Sequence, residues 1–86
     1  LAAHLDLDAI NVPPVFGWLS KIGGVVQDEM LRTFNCGIGM IVVVDPAQAQ
    51  AVTDAFIAAG EKPVRVGALR AQTGDARVTH QGQLKL

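Results

Sequence analysis

The sequence predicts a mixed α/β (α+β) fold in which two helices precede a β-α-β-β unit, with the helices packed on a mixed sheet of at least three strands. Three observations lead to this fold class. Apolar residues recur at helical spacing before residue 35. An uninterrupted apolar run, Ile41–Val44, follows a glycine-rich turn, Asn35–Gly39, and indicates a central strand buried on both faces. After residue 63, apolar and polar residues alternate as in a strand with one buried face.

Size and composition limit the function classes. The chain has 86 residues, 50% of them apolar and 17% charged, which is typical of one small globular domain. No apolar run approaches the ~20 residues of a membrane span. The net charge is −1 and the basic residues are scattered, so a nucleic-acid surface is not expected. A single cysteine, Cys36, and no secretion signal indicate a cytoplasmic setting, and a first residue other than Met suggests a part of a longer protein.

The first third of the chain predicts one extended segment and two helices. Residues Leu1–Asn11 alternate only briefly, as in an edge segment or a linker. Pro14 suits the first turn of a helix that Gly23 and Gly24 end. A second helix is expected over Val25–Phe34, with Asp28 and Glu29 in its first turn. The apolar face of the first helix, which we expect in the core, comprises Val15, Trp18, Leu19 and Ile22.

The remaining chain predicts a capped helix and two strands. Asp45 is expected to cap a helix that starts at Pro46, with Gln48 reaching back, and Gly60 is expected to end it. Pro63–Ala71 is expected to form a strand with a bulge at Gly67. The final elements are an antiparallel strand over Arg77–Gln81 with Val78 facing inward, and a frayed tail.

The candidate chemistry lies in and beside the turn. Cys36 could be a nucleophile or a buried structural residue. The structural role is favoured, because cysteine is commonly buried and the only histidines that could act as a base, His4 and His80, are remote in sequence. No metal site is expected, since only Asp6 and Asp8 approach ligand spacing.

Four residues are candidates for binding a substrate. Asn35 could bond a ligand or cap its own backbone, and these alternatives remain open. Gly37 and Gly39 allow positive φ or close approach, and their amides could hold a phosphate, although they precede a strand rather than a helix. Arg32 could bind a phosphate, but an ion pair with Asp28 or Glu29 within the helix is the commoner role.

The same turn carries a family resemblance. The string Arg-Thr-Phe-Asn-Cys-Gly-Ile-Gly-Met at Arg32–Met40 resembles the C-terminal part of phosphoribosylformylglycinamidine cyclo-ligase, also called aminoimidazole ribonucleotide synthetase. Further matches run in order from about Pro14 to Val78. They are Val15-Phe16-x-Trp18-Leu19, Glu29-Met30, Ala59-Gly60-Glu61 and Val66-Gly67.

The resemblance implies an ATP-dependent ligase of purine biosynthesis that closes the imidazole ring of formylglycinamidine ribonucleotide and releases ADP and phosphate. It implies a cytosolic homodimer that needs magnesium and potassium. It also implies that residues 1–86 are the end of the C-terminal domain, with the ATP-binding N-terminal domain absent and this part inactive alone. On this basis Asn35, Gly37, Gly39 and Arg32 are expected to contact substrate. The alternative is a free-standing small α/β module that binds a ligand or partner without catalysis.

Overall fold

The computed structural model describes residues 1–86 and confirms the mixed α+β fold class. Two single 3-10 turns, Leu7–Ala9 and Pro46–Gln48, accompany the main elements. The strands are β1 (Ala2–Asp6), β2 (Gly67–Arg70) and β3 (Val78–Gln81), and the helices are α1 (Pro14–Gly23), α2 (Gln27–Thr33) and α3 (Ala49–Ala58).

The first strand is the centre of the sheet, whose order is β2-β1-β3. β1 pairs antiparallel with β2, placing Leu5 opposite Gly67, and parallel with β3, placing His4 opposite Thr79. The expectation of an edge segment or linker over residues 1–11 is therefore wrong. The alternation is brief because β1 has only five residues. Its partner strands lie more than sixty residues away in the sequence, so no local pattern predicts that β1 pairs with them.

The two later strands differ from expectation in their pairing. β3 runs opposite to β2, as expected, but it pairs with β1 instead, and Val78 is exposed rather than inward. Gly67 pairs in regular register, so it marks no bulge. Its role is close approach, because a Cβ there would overlap the backbone carbonyl oxygen of His4.

The apolar run Ile41–Val44 is not a strand of this sheet, and the predicted central strand is wrong for this chain. The run is exposed, and Ile41 and Val43 each retain 65% of their accessible surface. A strand needs neighbours for its N–H and C=O groups. Residues 39–44 make no backbone hydrogen bond because no strand of this chain pairs with them.

The helix boundaries follow their local signals. α1 ends at Gly23, and Gly24, which follows it, has a φ of 62°. The Asp45 carboxylate accepts a hydrogen bond of 2.8 Å from the N–H of Ala47, as predicted for a cap. The Gln48 side chain does not reach back, but its N–H donates to Asp45 O at 2.9 Å. After α3, Gly60 takes a φ of 87°, as expected.

The expected apolar face of α1 does not lie in the core. Trp18 is 59% exposed and Ile22 is 71% exposed. The helix instead buries Gly17, where a Cβ would lie 2.9 Å from the carbonyl carbon of Leu86. The chain end therefore approaches the backbone of α1, and the Trp18 side of the helix remains open.

The tail is docked rather than frayed. The N–H of Gln83 donates to the Asp8 carboxylate at 3.1 Å, and the N–H of Leu84 donates to the Gln27 side-chain oxygen at 2.8 Å. These bonds hold Leu84 in the core. The buried core is small and comprises Leu7, Ile10, Met30, Cys36 and Leu84.

Candidate functional site

The glycine turn, Asn35–Gly39, is a tight backbone loop held by its first residue. The side-chain oxygen of Asn35 accepts a hydrogen bond of 2.9 Å from the N–H of Gly37. The backbone oxygen of Asn35 accepts another, of 3.0 Å, from the N–H of Ile38. This is an Asx turn, in which a short amide side chain replaces a backbone acceptor. Of the two roles left open for Asn35, the isolated chain shows the capping role.

The two glycines of the turn are not equivalent. Gly37 has a φ of 97°, and a Cβ there would lie 2.5 Å from Cδ of Pro13. Gly39 has no positive φ, and nothing lies within 4 Å of a Cβ built on it. The second positive φ of the turn belongs to Cys36, at 52°. The expectation of positive φ or close approach is confirmed at Gly37 and wrong at Gly39.

Cys36 is a core residue that anchors the turn. It is 2% exposed, and its Sγ lies 3.9 Å from the backbone oxygens of Met30 and Phe34. Desolvation by burial raises the pKa of the thiol above its ordinary 9.0. A raised pKa keeps the thiol protonated at neutral pH, which disfavours nucleophilic attack. The buried structural interpretation of Cys36 is confirmed.

An apolar cavity of about 220 Å³ adjoins the turn. Phe34, Ile38, Ile41 and Val66 are among the residues that line it. Asn35 is the one polar residue in this lining, and its side-chain nitrogen makes no hydrogen bond within the chain. The arrangement is a small apolar recess, below the roughly 300 Å³ of the smallest typical ligand pockets, with one free amide donor in its lining.

The other three candidates, Arg32, Gly37 and Gly39, lie outside this cavity lining. Arg32 is on α2 with a side chain that is 78% exposed, and its guanidinium lies 3.7 Å from the Glu29 carboxylate, which confirms the pair within the helix. The N–H of Gly39 makes no hydrogen bond, whereas the N–H of Gly37 is already bound by Asn35. Among the four candidates, the free donors are thus the Asn35 side-chain amide, the Gly39 N–H and the remaining Arg32 N–H groups.

The acidic residues of the first segment have structural roles. Asp6 accepts a hydrogen bond of 3.1 Å from the N–H of Asp8, and Asp8 in turn binds the tail at Gln83. Gly82, with a φ of 76°, packs against the Asp8 carboxylate. The binding of the C-terminal tail to Asp8 at Gln83 was not predicted from the sequence, although Gly82 signalled a turn just before that contact. No three His, Cys, Asp or Glu side chains come together in the structure.

No helix of the structure combines the length and the apolar character needed to cross a membrane. The family model described as AIR synthase related protein, C-terminal domain, matches residues 1–79. The match spans all three helices and the glycine turn, and it includes the residues that carry the sequence resemblance. The chain therefore belongs to the AIR synthase related proteins, with residues 1–79 matching their C-terminal domain.

Proposed function

We propose that the chain is the C-terminal part of an ATP-dependent cyclo-ligase. The reaction phosphorylates the amide oxygen of formylglycinamidine ribonucleotide with ATP, and a nitrogen of the substrate then displaces phosphate to close the imidazole ring. The products are aminoimidazole ribonucleotide, ADP and phosphate. Membership of the AIR synthase related family supports an ATP-using enzyme class.

The observation that carries the proposal is the geometry of the string Arg32–Met40. Its conformation depends on residue identities, since Asn35 caps Gly37 and Gly37 has no room for a Cβ. Cys36 fixes the turn to the core. Because these contacts fix the conformation of the turn, its free hydrogen-bond donors have defined positions beside the apolar recess. Binding sites are commonly placed on loops that a rigid scaffold holds in this way.

In this proposal the turn forms one wall of the ribonucleotide site. The free amide of Asn35 and the free N–H of Gly39 donate to substrate oxygens, and Gly37, which has a positive φ and no room for a Cβ beside Pro13, forms the turn between them. Arg32 is proposed as a phosphate partner, because its single contact of 3.7 Å with Glu29 leaves most of its guanidinium free.

ATP, magnesium and potassium are proposed to bind another part of the complete protein. The residues of this chain do not fit a magnesium site, as no cluster of three ligand side chains forms. No glycine-rich loop opens a helix to cradle phosphates either. A cytoplasmic homodimer is proposed for the complete enzyme on the resemblance alone.

The test is an Asn35→Ala substitution in the complete gene product, with each substrate varied separately in steady-state kinetics. We expect a lower kcat/KM for the ribonucleotide and an unchanged KM for ATP, because only the ribonucleotide wall is altered. Asn11→Ala is the matched control, since Asn11 lies in the neighbouring loop and its side chain makes no hydrogen bond. An effect confined to ATP, or equal effects of both variants, would remove the turn from the substrate site. Absence of any ATP-dependent reaction would favour the alternative of a binding module.

A further inference from the structure

A second recess, of about 260 Å³, lies at one end of the sheet. Its lining shares no residue with the apolar cavity beside the glycine turn. Half of the lining residues are alanines, whose short side chains leave the space open. The other half is polar, and we call the site the polar recess. These polar residues are His4 of β1, Arg70 of β2, Thr79 of β3 and Thr73 of the connection between β2 and β3.

The register of the sheet brings three of these side chains to one face. His4 is paired with Thr79. Arg70 is paired with Ala2, which lies two residues before His4 and therefore on the same side of β1. Leu5, the next residue of β1, faces the other way and lines the apolar cavity. His4 and Leu5 thus direct a polar and an apolar side chain to opposite faces of the sheet.

The polar recess contains cationic donors and no carboxylate. Arg70 and His4 line it, and no Asp or Glu does. The Arg70 guanidinium makes no ion pair and no hydrogen bond within the chain, so its N–H groups are free to bind a ligand. Asp75, in the connection between β2 and β3, does not line the recess and forms no ion pair with Arg70. The recess therefore has an uncompensated positive charge.

A hydrogen bond of 2.8 Å between His4 Nδ1 and Thr79 Oγ1 orients a further donor. If the hydroxyl donates, the neutral imidazole carries its proton on Nε2, and that N–H is free. If the imidazole donates instead, the hydroxyl proton is free. In both arrangements the pair keeps one donor that has no partner in the chain.

We propose that the polar recess binds a phosphate group, as inorganic phosphate or as the phosphate monoester of a small molecule. Arg70 donates to two phosphate oxygens, and the pair of His4 and Thr79 donates to a third. Donors from three strands suit a tetrahedral oxyanion better than a carboxylate, which has two oxygens. The volume is below the roughly 300 Å³ of the smallest typical ligand pockets, which favours a small anion over a nucleotide. This inference does not depend on the proposed function.

The first experiment is a titration of the 86-residue chain with sodium phosphate at constant ionic strength, followed by two-dimensional NMR of the backbone amides. We expect saturable shifts around the recess, in residues 2–4 and 70–79. Arg70→Gln should raise the Kd for phosphate at least about tenfold, because charge-assisted hydrogen bonds are lost. Arg65→Gln is the matched control and should leave the Kd unchanged, since Arg65 is an exposed arginine outside the lining.

The same spectra show whether each variant is folded, because amides far from the recess should keep their positions. Equal effects of Arg70→Gln and Arg65→Gln would overturn the proposal. Shifts centred on the glycine turn, or shifts that do not saturate, would overturn it as well.

The second experiment separates a built phosphate site from general attraction of anions. Thr79→Val keeps the shape and the net charge but removes the hydroxyl, so it should raise the Kd for phosphate about three- to tenfold. Thr79→Ser keeps the hydroxyl and should bind as the parent chain does. Methyl phosphate distinguishes the two sources: tighter binding than inorganic phosphate assigns the site to a monoester, and binding no tighter assigns it to free phosphate. An unchanged Kd in Thr79→Val, or acetate binding as tight as phosphate, would contradict the proposal.

Discussion

Alanine substitution should destabilise the chain at Gly37 but not at Gly39, although the two glycines are separated by only one residue. At Gly37 the left-handed backbone costs an L-residue about 1–2 kcal/mol. Overlap with the Pro13 ring, 2.5 Å from the new Cβ, adds about 1–3 kcal/mol. Gly37→Ala should therefore destabilise the chain by about 2–5 kcal/mol, against a total of about 4–13 kcal/mol for a domain of this length.

Gly39→Ala meets neither penalty, because the site is open and its φ is ordinary. It should be neutral or stabilise by up to about 1 kcal/mol, since alanine restricts the unfolded chain. Thermal denaturation followed by circular dichroism, at one protein concentration, measures the contrast. Gly37→Ala should lower Tm by at least about 8 °C and Gly39→Ala should not lower it. Equal melting temperatures for the two variants would refute the account of the turn.

Three further predictions concern the core, the sheet and the thiol. Leu84→Ala should destabilise the chain by about 2–5 kcal/mol in urea denaturation, because the docked tail supplies a core side chain that is 6% exposed. A loss below about 0.5 kcal/mol is typical of a surface position and would show that the tail does not pack on the core. Gly67→Ala should separate β2 from β1 and expose their amides to hydrogen exchange, whereas Gly74→Ala, at an open site, should leave the exchange rates unchanged. Burial raises the pKa of Cys36 from 9.0, so the thiol loses its proton at a lower pH in the unfolded state than in the folded state. The free energy of unfolding should therefore fall as pH rises above about 9. If a Cys36→Ala variant shows the same decrease in the free energy of unfolding, the decrease is due to other groups.

The helices were predictable because their signals are local. Gly24 and Gly60 end helices through their own backbone conformation, and Asp45 caps a neighbour two residues away. The turn at Asn35 was predictable as one of two alternatives for the same reason. Such features depend on a few adjacent residues, so the sequence pattern contains the information that specifies them.

The sheet was not predictable in its order, because pairing joins distant segments. β1 contacts residues more than sixty positions away on both edges, and no local pattern encodes that choice. The anchoring of the tail by Asp8 is equally remote, at 75 residues. The run Ile41–Val44 shows a further limit, since its composition indicates burial but does not say which segment covers it.

The central claim is that this chain belongs to an enzyme that closes the imidazole ring of formylglycinamidine ribonucleotide. The most direct measurement is product analysis of the complete gene product, incubated with formylglycinamidine ribonucleotide, ATP, magnesium and potassium. The account predicts aminoimidazole ribonucleotide, ADP and phosphate in equal amounts. ATP consumption without ring closure, or ring closure at the rate of the blank without protein, would contradict it.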